Sequence, residues 1–210
     1  MTRGGRNRGA SVIGHAEQRT INQSCNPDRH DAAHRGSEMV EAMNTPTIRA
    51  SYSMWPQYNR RLRDVVAAMT DEQLAIRPAP DLLPIWATVG HTAAMRVYWL
   101  CEVVGEPGAA TTPFGNGTID WADDLDHPRD AHELVEALDS TFRIVEGCLD
   151  RWTPNTLQDQ IQRDYAGTVQ MHTRASILQR LFTHEAYHCG ELSQTLGIHG
   201  LTQIDLWRPD

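Results

Sequence analysis

Four stretches of this 210-residue chain repeat apolar side chains at the period of an α-helix, and proline and glycine gather in the breaks between them. Such a chain has little choice but to pack amphipathic helices face to face. In the first stretch Trp55, Tyr58, Leu62, Val65, Val66 and Met69 share one side, and Arg60, Arg61, Arg63 and Asp64 share the other. Thr70, with Gln73 three residues on, reads as a capping box for a short turn, and Pro78, Pro80 and Pro84 interrupt the chain before the second helix. Pro84 suits a first helical position. The second helix turns Trp86, Val89, Ala93, Val97, Leu100 and Val104 inward and stops at Gly105. Asp130 and Glu133 form another capping box, and Leu134, Val135, Leu138, Phe142, Val145 and Leu149 give the third helix its stripe, ending near Trp152 and Pro154. The fourth runs from its cap, Thr173, to Gly197 with Ile177, Leu178, Leu181, Phe182, Leu192 and Leu196 on one face.

The connections decide the topology. Residues 105 to about 129 carry Gly, Pro, Thr and Asp without a sustained period and are longer than an ordinary bundle connection. A segment of that length can cross from one end of a bundle to the other, so the second and third helices can run in the same direction. The expected fold is all-α: a four-helix bundle in the order up, down, down, up, with a long crossover between helices two and three. Between Leu157 and His172 the alternation around Gly167 is loose, and the segment reads as a short hairpin or a polar loop. After Gly197, Leu201, Ile204, Leu206 and Trp207 provide enough apolar surface to fold back on the bundle. Residues 1–45 have few large apolar side chains and no period, the composition of a disordered N-terminal extension, which leaves 46–210 as the single folded domain.

Within the fourth helix the apolar face is interrupted by His184 and His188, one turn apart, so that both imidazoles can reach one point. Glu185 also falls on the buried side, where a carboxylate needs a partner such as a cation. Two imidazoles from one helix fix two coordination positions at low entropic cost. A third has to come from elsewhere. His91 is the best placed: it lies on the second helix, one turn from Ala87 and Ala94, whose small side chains leave room beside the ring. His127 and His199 lie in loops, and His132 and His172 sit beside helix starts. Three histidines leave positions open on the ion, as catalytic sites do. They suit zinc, nickel, cobalt or iron, with zinc and nickel foremost.

The run HEAYH, His184 to His188, also matches the HExxH pattern of zinc peptidases. The flanking sequence argues against that reading. Metzincins place a glycine three residues after the second histidine and a third histidine three further on, whereas here Gly190 comes two after His188 and His199 is far too distant. A downstream glutamate ligand is also lacking, since Glu191 belongs to the same helix.

With WPQYNRRL in its first helix, DEQLAIRP after it, IWATVGH in the second and HEAYHCGEL in the fourth, the chain over about residues 47–197 resembles the DinB-like superfamily. That superfamily also takes in the mycothiol-dependent maleylpyruvate isomerases and bacillithiol S-transferases. The resemblance implies the four-helix fold and a divalent metal held by His91, His184 and His188. It further implies a metal-dependent transferase acting on a low-molecular-weight thiol and an electrophile, with pairing into a homodimer. Glu185 and Glu191 are then the candidate catalytic residues, for proton transfer or for orienting a ligand histidine, and Tyr98 and Trp121 are candidates to line the pocket. All 19 basic residues are arginine, which points to codons rich in G and C, as in an actinobacterium, where mycothiol is the thiol implied. The rival readings use the same histidines. One is a non-catalytic metal-binding stress-response bundle, with every metal position filled by protein; the other is a metal-dependent hydrolase in which Glu185 activates water.

Other classes are disfavoured. A net charge of −8 without a basic run offers nothing to nucleic acid or an anionic membrane. Cys25, Cys101, Cys148 and Cys189 form no CxxC pair, so neither a disulfide framework nor a thiolate zinc site is expected. No apolar run has the length of a signal-peptide core or membrane span, and the expected location is cytoplasmic.

Overall fold

In a computed structural model of the chain, residues 46–115 and 120–207 are described. The expected disordered extension, residues 1–45, lies outside them. Four long helices carry the domain: α1 (Trp55–Ala67), α2 (Ile85–Val97), α3 (Ala131–Arg151) and α4 (Arg174–Ile198). Single helical turns at Asp71–Leu74 and Asp120–Asp123 punctuate the connections. The capping pairs act as the sequence says. The Asp130 carboxylate accepts from the Glu133 amide at 2.8 Å while Glu133 accepts from the Asp130 amide at 3.1 Å, and Thr70 and Gln73 repeat the exchange at 3.3 and 3.0 Å. Thr173 caps α4 through the Ser176 amide at 3.1 Å.

The core follows the helical stripes. Leu62 and Val66 of α1, Val89 and Ala93 of α2, Leu138 and Val145 of α3 and Leu178 and Leu196 of α4 are all buried, and Trp55 and Trp152 are sealed within the same cluster. α2 packs along both α3 and α4, and α1 packs along α3. α2 does not continue as one regular helix to Val104: from Tyr98 to Val103 the chain takes π-helical hydrogen bonding, and Gly105 then stops it with φ of 88°.

The all-α expectation needs correction. Between α3 and α4 the chain makes a two-stranded antiparallel sheet, β1 (Gln160–Tyr165) and β2 (Thr168–Thr173), with Gln162 opposite Met171. The fold is mostly helical with a small hairpin. Ala166 and Gly167 turn it with φ of 50° and 76°, both left-handed, as a two-residue hairpin loop requires. The tail folds back as expected. Ser193 Oγ donates to the Ile204 carbonyl and accepts from its amide, both at 2.8 Å, and Ile204 is buried; Trp207, however, stays 83% exposed.

Candidate metal centre

The Nε2 atom of His184 lies 3.1 Å from that of His91 and 3.1 Å from that of His188. One ligand nitrogen from each ring falls within 4.8 Å of the others, and all three residues are half-buried. A tetrahedral ion about 2.0–2.1 Å from each nitrogen needs separations of roughly 3.3 Å, so the spacing is close to that of a bound ion. His91 and His184 come from α2 and α4, which pack together, and His188 stands one turn beyond His184. Close approach at His91 is helped by its neighbour: a Cβ on Gly90 would meet the Trp121 ring at 3.3 Å.

Hydrogen bonding alone leaves this triad frustrated. His188 Nδ1 stands 2.7 Å from Glu191 Oε2, so Nδ1 bears the proton and Nε2 presents a lone pair. If His184 donates from Nε2 to that lone pair, it cannot also accept from His91 at the same atom. If it does not, two lone pairs face each other. A cation among the three nitrogens removes the conflict, and neutral imidazole is its usual donor. The donor set therefore fits a divalent ion. Burial first, and then His188, His91 and the guanidinium of Arg180, lower the His184 pKa from 6.5 to about 4. His184 Nδ1 is buried without a hydrogen-bond partner.

That shift has a testable sign. The unfolded chain takes up a proton at His184 near pH 6.5 and the folded chain only near pH 4, so stability is complete above pH 6.5 and declines as pH falls from 6.5 to 4. The slope in that window is expected to be below the 1.4 kcal/mol per pH unit of a fully shifted site, roughly half of it, because the ring is only half-buried. Urea unfolding of the chelated protein between pH 4 and 7, beside His184→Gln, checks this. Equal slopes for the two proteins would exclude His184 as the source.

Glu185 is placed differently from its neighbour. Its carboxylate is buried and accepts from Arg96 Nε at 2.7 Å and from Trp55 Nε1 at 2.8 Å. The cation it required is a guanidinium. Arg96 is wholly buried, and its Nη1 donates to the Leu138 carbonyl at 3.0 Å and Thr141 Oγ1 at 3.3 Å, while Nη2 donates to Asn59 Oδ1 at 2.9 Å. One side chain of α2 thus reaches α1, α3 and α4. Since Arg96 shares α2 with His91 and Glu185 adjoins His184, the pair also holds in register the two helices that donate the imidazoles. The sequence reading missed Arg96, which occupies a position in α2 that the apolar pattern would fill with an aliphatic residue. Glu185 and Cys189 border a small apolar cavity of about 100 Å³ together with Trp55, Tyr58, Phe182 and Trp207; none of the three histidines lines it. Burial pushes the Cys189 thiol up to about 12, so it is no nucleophile near neutrality.

Glu191 lies on the triad's side. Besides His188 it engages Tyr187, whose phenol pKa is raised by that hydrogen bond and by the carboxylate's charge. Tyr187, His188, Glu191 and Thr195 of α4 form one wall of a cleft of about 390 Å³, with Leu82 and Leu83 of the preceding connection and Ile85 and Thr88 of α2 opposite. Tyr98 and Trp121 are not among the described residues lining it: Tyr98 Oη accepts from Arg163 Nε at 2.8 Å, and Trp121 packs against Phe114.

A family model described as the DinB superfamily matches residues 57–192. The crystal structure of a DinB-like protein from Bacillus cereus ATCC 10987 superposes with a TM-score of 0.58 at 18% identity, covering 76% of this chain and 96% of that one. At that identity the likeness concerns the fold. No curated protein matches the chain. No helix among the described residues is long and apolar enough to cross a membrane.

Proposed function

The chain belongs to the DinB superfamily, and on that premise we propose that it is a divalent-metal-dependent transferase acting on a low-molecular-weight thiol. The observation that carries the reading is the convergence of three imidazole nitrogens, with His188 also lining an open cleft. His91, His184 and His188 would hold the ion, zinc or nickel foremost. When bound, such an ion supplies a Lewis acid that favours the thiolate form of a thiol near pH 7. Glu191 fixes the tautomer and orientation of His188 through Nδ1 and lines the cleft, where its carboxylate can take up the thiol proton. Leu82, Leu83 and Ile85 offer an apolar wall for the electrophile. In this reading the four helices form the up-down-down-up bundle, the protein is cytoplasmic, and mycothiol is the thiol. A homodimer is the assembly the resemblance implies.

Two observations weigh against the rival readings. Both Glu185 oxygens are engaged by Arg96 and Trp55, which leaves no base there for a hydrolytic water. Among the described residues the cluster has three donors and no fourth, where a sequestering site would fill its positions with protein. Purified protein loaded with zinc or nickel and given mycothiol and monochlorobimane is expected to conjugate them at least about tenfold faster than a chelated control, and Glu191→Gln is expected to lose about 10- to 100-fold. Conjugation no faster than the control would overturn the transferase reading.

A further inference from the structure

A second group of side chains lies one helical turn from the triad and takes no part in it. Trp99, in the π-helical turn after α2, is 6% exposed and belongs to the core cluster. Two guanidinium groups cover its ring: the Arg163 Cζ of β1 and the Arg180 Cζ of α4 each lie 4.8 Å from the ring centroid. The His172 ring of β2 meets the indole edge-on at 5.2 Å. Arg163 is held in place, donating from Nε to Tyr98 Oη at 2.8 Å and from Nη1 to Gln170 Oε1 at 3.0 Å, and it lies over the Tyr98 and Tyr165 rings as well.

What this group lacks is an anion. The chain has 27 acidic residues against 19 basic, yet among the described residues neither Arg163 nor Arg180 has a carboxylate partner. Arg49, Arg63, Arg96, Arg129, Arg151 and Arg174 do, whereas Arg60, Arg77 and Arg143 also show no ion pair among the described residues; what sets Arg163 and Arg180 apart is that they share one indole and one histidine ring. A second observation points the same way. His172 Nε2 is buried with no hydrogen-bond partner. Burial and then the charges of Arg180 and Arg163 lower the His172 pKa, so both cations reach the same ring. Two guanidiniums resting on one indole, Arg163 held there by Tyr98 and Gln170 and neither engaged by a carboxylate among the described residues, offer their forks to an oxyanion, because each planar fork pairs with carboxylate or phosphate oxygens.

We propose that Arg163 and Arg180, mounted on Trp99, form an anion subsite that binds a carboxylate- or phosphate-bearing small molecule. Arg180 precedes His184 by one turn on the same face of α4, about 6 Å along the helix axis. A ligand with its anionic end on the two arginines can therefore extend toward the three imidazoles. This makes the thiol or the electrophile of the transfer an anion at one end, and that assignment to a reactant rests on the transferase reading. The anion subsite itself does not.

The test is run on the full chain treated with chelator, so that it is independent of metal and of activity. Succinate and inorganic phosphate are titrated separately against 15N-labelled protein, with sodium chloride at matched ionic strength as control, and the Trp99 indole signal, assigned with Trp99→Phe, is followed. Succinate or phosphate is expected to shift it saturably where chloride does not, and the arm that saturates at lower concentration identifies the oxyanion. Binding is expected to weaken at least about tenfold in Arg163→Gln and in Arg180→Gln, with zinc affinity unchanged. Arg180 is exposed, so its variant decides the matter should Arg163→Gln fold poorly. A shift no greater than that of chloride, or one that persists in Arg180→Gln, overturns the subsite. Saturable oxyanion binding by a protein without transferase activity would leave the subsite standing and remove only its assignment to a reactant.

Discussion

Arg96→Met is expected to destabilise the protein by about 3–5 kcal/mol, as removal of one partner from a buried ion pair does. The side chain is completely buried, and its three guanidinium nitrogens contact Glu185, Leu138, Thr141 and Asn59, with the Phe142 ring 5.0 Å from Cζ. Methionine fills a similar volume, so the cost comes less from a cavity than from what is stranded. Glu185 would keep only the Trp55 indole as a donor, while Asn59 Oδ1 and the Leu138 carbonyl would each lose a partner. Glu185→Leu should be costly as well, leaving the guanidinium with neutral acceptors only. The double substitution Arg96→Met with Glu185→Leu should recover most of the loss, because two apolar groups in contact strand no charge. Urea unfolding midpoints at constant m-value measure all three. A loss below about 1 kcal/mol for Arg96→Met would show that the pair does not tie the helices together.

This pair also marks where the sequence ceased to be legible. That Glu185 is buried and needs a cation could be read from its helical register. That the cation is Arg96 could not, because periodicity assigns faces and does not say which residue of α2 faces which residue of α4. The histidines were easier. His184 and His188 stand at i and i+4 on one helix, and the small residues one turn from His91 made it the best placed of the other histidines. The caps at Thr70, Asp130 and Thr173 were legible because each motif is local, closing between residues three apart. The hairpin was legible only as one of two alternatives, hairpin or polar loop, for two reasons. Its turn puts Ala166, not asparagine or glycine, at positive φ in the first of its two positions, ahead of Gly167, and its strands are mostly solvated, with Tyr165, Val169 and Met171 each 57% exposed, so alternation was weak. The π-helical turn at Tyr98–Val103 leaves no period of its own in so short a span. It places Trp99 where the two arginines cover it, so the part of the site hardest to read from sequence is the part built on irregular backbone.

His184→Ala is expected to have the opposite profile to Arg96→Met: zinc affinity falling by roughly a thousandfold or more, with stability little changed. His184 Nε2 lies 3.1 Å from both other ligand nitrogens, so its loss leaves two donors from different helices and no central one. With total zinc binding energies of about 10–16 kcal/mol shared over a few ligands, one ligand accounts for a few kcal/mol, which is a thousandfold in affinity. Stability should not follow. In the metal-free protein the His184 ring is half-buried, its Nδ1 lacks a partner, and its Nε2 cannot satisfy both neighbouring rings at once, so alanine removes unfavourable contacts along with favourable ones. Competition against a zinc-chelating dye measures the first effect and urea unfolding of the chelated protein the second. Native-like zinc affinity in His184→Ala would remove the metal centre from this site. A stability loss as large as that of Arg96→Met would mean that the triad serves packing, because a group kept for its metal has no reason to carry the fold when the metal is absent.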